Sequence, residues 1–159
     1  MKKLILVALA GLYLSGCAEM NAKQEAEAQK SYADMSQCDT TKLNKNSVSS
    51  KVDFVKELST QALSASADDF VSQQKLDRLQ LVGWNDSVSS AIISCNVNTK
   101  KQRVSMMNAA FEEIKAKTKD KDEKKALISA YSSWEAYVKS PSRETKSKFD
   151  NELSYYKNM

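Results

Sequence analysis

Residues 120–141, DKDEKKALISAYSSWEAYVKSP, decide the fold class. Leu127, Tyr131, Trp134 and Val138 recur at steps of four, three and four, which puts them on one face of an α-helix. Asp120 or Asp122 precedes the stripe as a cap, because a side-chain oxygen there accepts from the first unpaired N–H groups. The same reading extends to both sides. Ser140 is the expected cap of the next helix, with Pro141 at its first position, where no N–H is needed. Phe149, Leu153 and Tyr156 are that helix's apolar residues. Before residue 120, Thr99 caps a helix whose stripe is Val104, Met107, Phe111 and Ile114. Residues 99–158 thus read as three helices of similar length, and short joins make neighbours antiparallel.

Further towards the N-terminus, Val48, Val52, Val55, Leu58 and Ala62 step by four, three, three and four, with Phe54 beside them and Ser47 as the cap. This helix is expected to end in the small polar run Ser64-Ala65-Ser66-Ala67. Asp68 then caps another, whose line is Phe70, Asp77, Leu81, Trp84, Val88, Ala91 and Cys95, flanked by Leu76, Leu79 and Ile92. Gly83-Trp84-Asn85-Asp86 interrupts that line. Either the helix breaks there, with Asn85 or Asp86 capping a second piece, or it kinks and continues. Residues 39–47 are a loop by composition. Residues 18–36 have high helix propensity but a thin apolar face. They read as a polar tether that becomes helical before Cys38.

Composition supports the same class. The chain has 159 residues, three glycines and one proline. Beyond residue 16 only Gly83 and Pro141 remain, too few for the turns of an all-β domain. The expectation is an all-α, disulfide-stapled bundle of about five to six amphipathic helices.

The first seventeen residues have a different logic. Met1-Lys2-Lys3 is basic, Leu4 to Leu14 is an apolar run, and Leu14-Ser15-Gly16-Cys17 follows. This is the layout of an export signal, too short to span a bilayer. Leu14-Ser15-Gly16-Cys17 resembles the lipobox of bacterial lipoproteins. The resemblance implies cleavage after Gly16, diacylation of Cys17 and a membrane-lipid anchor at the new N-terminus. The resemblance also implies the outer membrane, since Ala18 rather than an inner-membrane-retaining Asp follows the cysteine. The expected orientation is towards the periplasm, with exposure on the cell surface as the alternative. The expected organisation is a signal peptide at 1–16, a lipid-anchored polar lead at 17–37 and a helical bundle domain at 38–159.

Acylation of Cys17 leaves Cys38 and Cys95. In an oxidising compartment two thiols have one intramolecular pairing. The bridge would close a 58-residue loop, worth about 4 kcal/mol by chain entropy. The absence of Cys-x-x-Cys argues against a redox-active pair.

The chain has no histidine. Ser-His and Cys-His catalysis are therefore excluded, and the commonest metal ligand is missing. No serine sits at a glycine-flanked turn, and phosphate loops lack their glycines. Asp120, Asp122 and Glu123 do not make a calcium loop, since Lys125 and Tyr131 fall where an EF-hand needs glycine and glutamate. No cofactor is expected. The net charge is +4, and it falls to +2 without Lys2 and Lys3, which argues against nucleic-acid binding. Burial is the expectation for the aromatics. Trp84 and Tyr137 are the candidate partner contacts where it fails.

Two function classes follow. The first is a non-enzymatic binding component of an envelope complex. Its general design resembles the helical pilotins of type II secretion, small outer-membrane lipoproteins with a disulfide, which implies a groove for an amphipathic helix of an envelope protein partner. The second is a small envelope enzyme or inhibitor acting on cell-wall material. An exposed apolar groove separates the first from the second, which needs a concave pocket with converging polar groups.

Overall fold

Ser50 starts the first long helix. Its hydroxyl accepts from the Asp53 amide, and Asp53 accepts in return from the Ser49 and Ser50 hydroxyls and the Ser50 amide. This capping box satisfies donors that a helix leaves unpaired. The Ser49 and Ser50 hydrogen bonds hold the Asp53 carboxyl below its ordinary pKa.

The computed structural model describes residues 25–38 and 46–159. The signal segment 1–16, Cys17, the lead up to residue 24 and most of the expected 39–47 loop lie outside the described residues. Five helices are present among the described residues: α1 over 25–36, α2 Lys51–Val82, α3 Asp86–Lys117, α4 Lys121–Lys139 and α5 Arg143–Asn158. The all-α, disulfide-stapled bundle expected from sequence is what forms.

Several expected boundaries move. Residues 51–82 form one helix of 32 residues, so Ser64-Ala65-Ser66-Ala67 is helix interior and Asp68 caps nothing. Small polar residues cost a helix only tenths of a kcal/mol each, and packing overrides that. Ser50, not Ser47, is the cap. Thr99 is likewise interior, its hydroxyl donating to the Cys95 carbonyl, because α3 runs unbroken from Asp86. Ser142 caps α5 in place of Ser140, which ends α4. The chain does break at residue 83. Gly83 has φ +116°, a conformation open to glycine, and Asn85 caps α3 by accepting from Ser87 and Val88. Asp120 caps α4 as expected.

α2 and α3 form an antiparallel hairpin, each about 48 Å long at 1.5 Å per residue. Two apolar clusters divide it. At its open end Phe54, Leu58, Ala62 and Ala65 of α2 and Met107, Ala110, Phe111 and Ile114 of α3 meet α4 and α5. The whole Leu127–Tyr131–Trp134–Val138 stripe is buried there, with Phe149 and Tyr156. The Tyr131 ring stacks on Phe111 at 4.1 Å. Burial, and then the Glu135 and Glu112 carboxylates, push the Tyr131 phenol up to about 12. At the Gly83 turn, Leu79, Val88 and Ile92 form a smaller cluster closed by Met35 of α1.

Four residues of the Val48–Ala62 stripe hold: Leu58 and Ala62 are core, and Val48 and Val55 pack against it. Val52, read as core, is exposed. Phe70, Leu81 and Trp84 are exposed as well, while their flankers Leu79 and Ile92 are core.

Candidate functional site

Some residues in phase with the core stripes are polar: Glu57 and Gln61 stand among the large cluster's α2 residues, and Arg103 stands between the two clusters. Glu57 is 1% exposed, and Gln61 and Arg103 are buried beside it. Asn46 Nδ2 and Gln61 Nε2 each donate to Glu57 at 2.7 Å. Arg103 donates to Gln61 through Nη1 and to Asp68 through Nη2, the latter at 2.6 Å. One turn further, Asp69 accepts from Lys100 at 2.6 Å and from Asn96 at 2.7 Å. Burial of these charges is offset by hydrogen bonds: Arg103 has the Asp68 carboxylate, and Glu57 has two amide donors. Sequence reasoning missed this belt. Its signal was position: Glu57 and Gln61 share α2's inner face with Phe54, Leu58 and Ala65, and Arg103 stands one turn before Met107.

Beyond the belt the hairpin has two unlike faces. One is covered by α1. Tyr32 donates to the Gly83 carbonyl at 3.1 Å, Lys75 donates to the Gln37 carbonyl at 2.8 Å, and Cys38 is bonded to Cys95. The predicted disulfide is present, with Cα atoms 5.5 Å apart. The other face is open. A groove of about 470 Å³ runs between the second half of α2 and the first half of α3, floored by Leu76 and Ile92 with the Asp69–Asn96 contact beside them, and edged by Gln73 and the exposed Phe70, Ile93 and Val97. On this side the open-end half is covered by α4, whose Tyr131 reaches the Val104 carbonyl. α4 has 19 residues against 32 in α3. It therefore stops about 20 Å short, and about 13 residues of helix would fill the remaining length.

The two candidate contacts differ in fate. Trp84 is 55% exposed at the turn, its indole N–H held by Asp86 at 2.7 Å. It is surface rather than core, because the helix break turns it away from the hairpin. Tyr137 is 5% exposed and stacks on Phe149 at 6.1 Å. It is part of the α4–α5 core and offers no free face to a partner. Cys17 lies outside the described residues. Among those residues no group of three or more Asp, Glu, His or Cys could hold a metal ion. No described helix is long and apolar enough to cross a membrane.

Comparison with known proteins gives no match, whether with family models, curated proteins or solved structures.

Proposed function

We propose that this protein is an outer-membrane-anchored lipoprotein facing the periplasm that binds, without catalysis, an amphipathic helix of an envelope protein. The open groove carries this reading. Exposed Phe70, Ile93 and Val97 stand along its edges over Leu76 and Ile92, and it lies in line with α4, so an incoming helix would continue a layer the fold already uses. A helix of three to four turns with apolar residues at i, i+3, i+4 and i+7 fits this place. The pinned α1 supports the groove from behind, so the floor is rigid before the partner arrives, which lowers the ordering cost of binding. The lipobox-like Leu14-Ser15-Gly16-Cys17 supplies the anchor. The alternative, a small enzyme or inhibitor of cell-wall material, needs converging polar groups in a cleft. In the belt Glu57, Gln61, Arg103 and Asp68 are instead bonded in series inside the hairpin, although Arg103 Nε and Asn96 Oδ1 have no partner among the described residues.

The test has two arms. Mass spectrometry of the N-terminal peptide should find acyl chains on Cys17, and Cys17→Ser should abolish them. A native N-terminus at Met1 with no adduct removes the anchor. A photo-crosslinker at Ile93 or Val97 in cells should capture an envelope protein through a helical segment. A synthetic peptide of that segment should bind wild type and lose at least tenfold in affinity to Ile93→Glu. Unchanged affinity removes the groove from the reading.

A further inference from the structure

The outer side of α2 carries its own apolar row. Val52, Leu63, Phe70 and Leu81 are between 64% and 87% exposed. They are spaced by 11, 7 and 11 residues. At 100° per residue each of these steps returns to within about 20° of the same direction, so the four form one line about 43 Å long. The line is a ridge rather than a groove, and it shares only Phe70 with the groove described above.

The spacing is symmetric. The midpoint between Val52 and Leu81 coincides with that between Leu63 and Phe70, and both fall at the Ser66–Ala67 peptide. An isologous interface needs this property, because a two-fold axis maps a surface onto itself reversed. We propose that two copies of this chain pair through antiparallel α2 helices, with the two-fold axis beside Ser66 and Ala67. Val52 then meets Leu81 of the second copy, and Leu63 meets its Phe70. Small side chains at the axis let the backbones approach closely.

Charge selects the antiparallel orientation. Lys56 and Asp77 are both exposed and flank the ridge at equal distances from the midpoint. Antiparallel pairing sets Lys56 opposite Asp77 twice. Parallel pairing would set lysine on lysine and aspartate on aspartate, which is repulsive. The pairing also explains why apolar residues of this size stand on the solvent side of a helix whose other side is already core.

Cysteine crosslinking in lysates of cells producing the full chain, with copper-phenanthroline as oxidant, tests the register. Ala67→Cys, at the axis, should give a disulfide-linked dimer. Val52→Cys alone should give at least tenfold less, since the second Val52 would lie about 43 Å away. Val52→Cys combined with Leu81→Cys should restore the dimer. Leu63→Glu should remove crosslinking through residue 67, whereas Ile93→Glu and Val97→Glu, in the groove, should leave it intact. No dimer through residue 67, equal crosslinking by Val52→Cys alone, or sensitivity to the groove variants instead of Leu63→Glu overturns the proposal. These variants are on the surface, and the groove pair separates this interface from partner-helix docking.

Discussion

Replacing both Cys38 and Cys95 by serine removes a link between residues 57 positions apart in sequence. For a loop of this length the chain-entropy contribution is about 4 kcal/mol, less any native strain. The effect should not be spread evenly. Without the link α1 is held by few groups: Met35 in the small cluster with the Tyr32 ring packed against it, the buried Ser31, the Tyr32 hydroxyl on Gly83 and the Lys75 ammonium on the Gln37 carbonyl. Burying one methionine is worth about 1.5–3 kcal/mol, and an exposed hydrogen bond about 1 kcal/mol or less. The twelve described residues of α1 are at the margin of independent helix stability. α1 should therefore undock while α2 to α5, which own the large cluster, remain folded. Hydrogen exchange read by mass spectrometry checks this. Amides of residues 25–37 should lose their protection in the double serine variant, and those of 104–114 and 126–138 should keep theirs. Unchanged protection in 25–37 would show that the few noncovalent contacts suffice. Equal loss in both regions would show that the two clusters unfold as one unit. Either result refutes the reasoning.

Other outcomes follow from single residues. Gly83→Ala should cost about 1–3 kcal/mol in urea unfolding, because its φ of +116° strains a side chain and the new Cβ would lie 3.1 Å from the Tyr32 hydroxyl. Leu127→Ala, in the centre of the large cluster at 0% exposure, should cost about 2–5 kcal/mol and lower the thermal midpoint. Tyr131 and Tyr156 have phenols raised to about 12, chiefly by burial, against an unfolded value near 10. Their neutral forms therefore contribute stability fully below pH 10 and lose it as the pH rises towards 12. The Tyr131→Phe, Tyr156→Phe double variant should show a shallower stability loss over that interval in urea titrations, and an unchanged slope would contradict the assignment.

The C-terminal half was largely legible in the sequence because α4 and α5 are apolar on one side only. Leu127, Tyr131, Trp134, Val138, Phe149 and Tyr156 could be placed from spacing alone. α2 was legible only in its first half, where Leu58 and Ala62 are core, and the reason is physical. It carries a core face through Phe54, Leu58 and Ala65 and a second apolar row through Val52, Leu63, Phe70 and Leu81 on nearly the opposite side. Two opposed stripes leave no single periodic phase to find. The line through Phe70, Leu81 and Trp84 was seen as a line and placed on the wrong side. Cys38 and Cys95 were paired by parity. The groove was not legible, because it depends on α4 ending before α3 does, a length mismatch that appears only once Thr99 is known to lie inside α3.

The position of the disulfide also fixes how the molecule would carry load. A pull on the N-terminal end of α1 reaches Cys38 and passes through the sulfurs to Cys95 in α3. The covalent path through α2 is thereby bypassed. The pull enters the hairpin about a third of the way along α3, close to the Asn96–Asp69–Lys100 contacts and away from the α4–α5 core. Drag on the domain would be taken up by covalent bonds and the helix backbone of α3. The groove residues Ile92, Ile93 and Val97 lie within one turn of that attachment point, so they should stay in place under load.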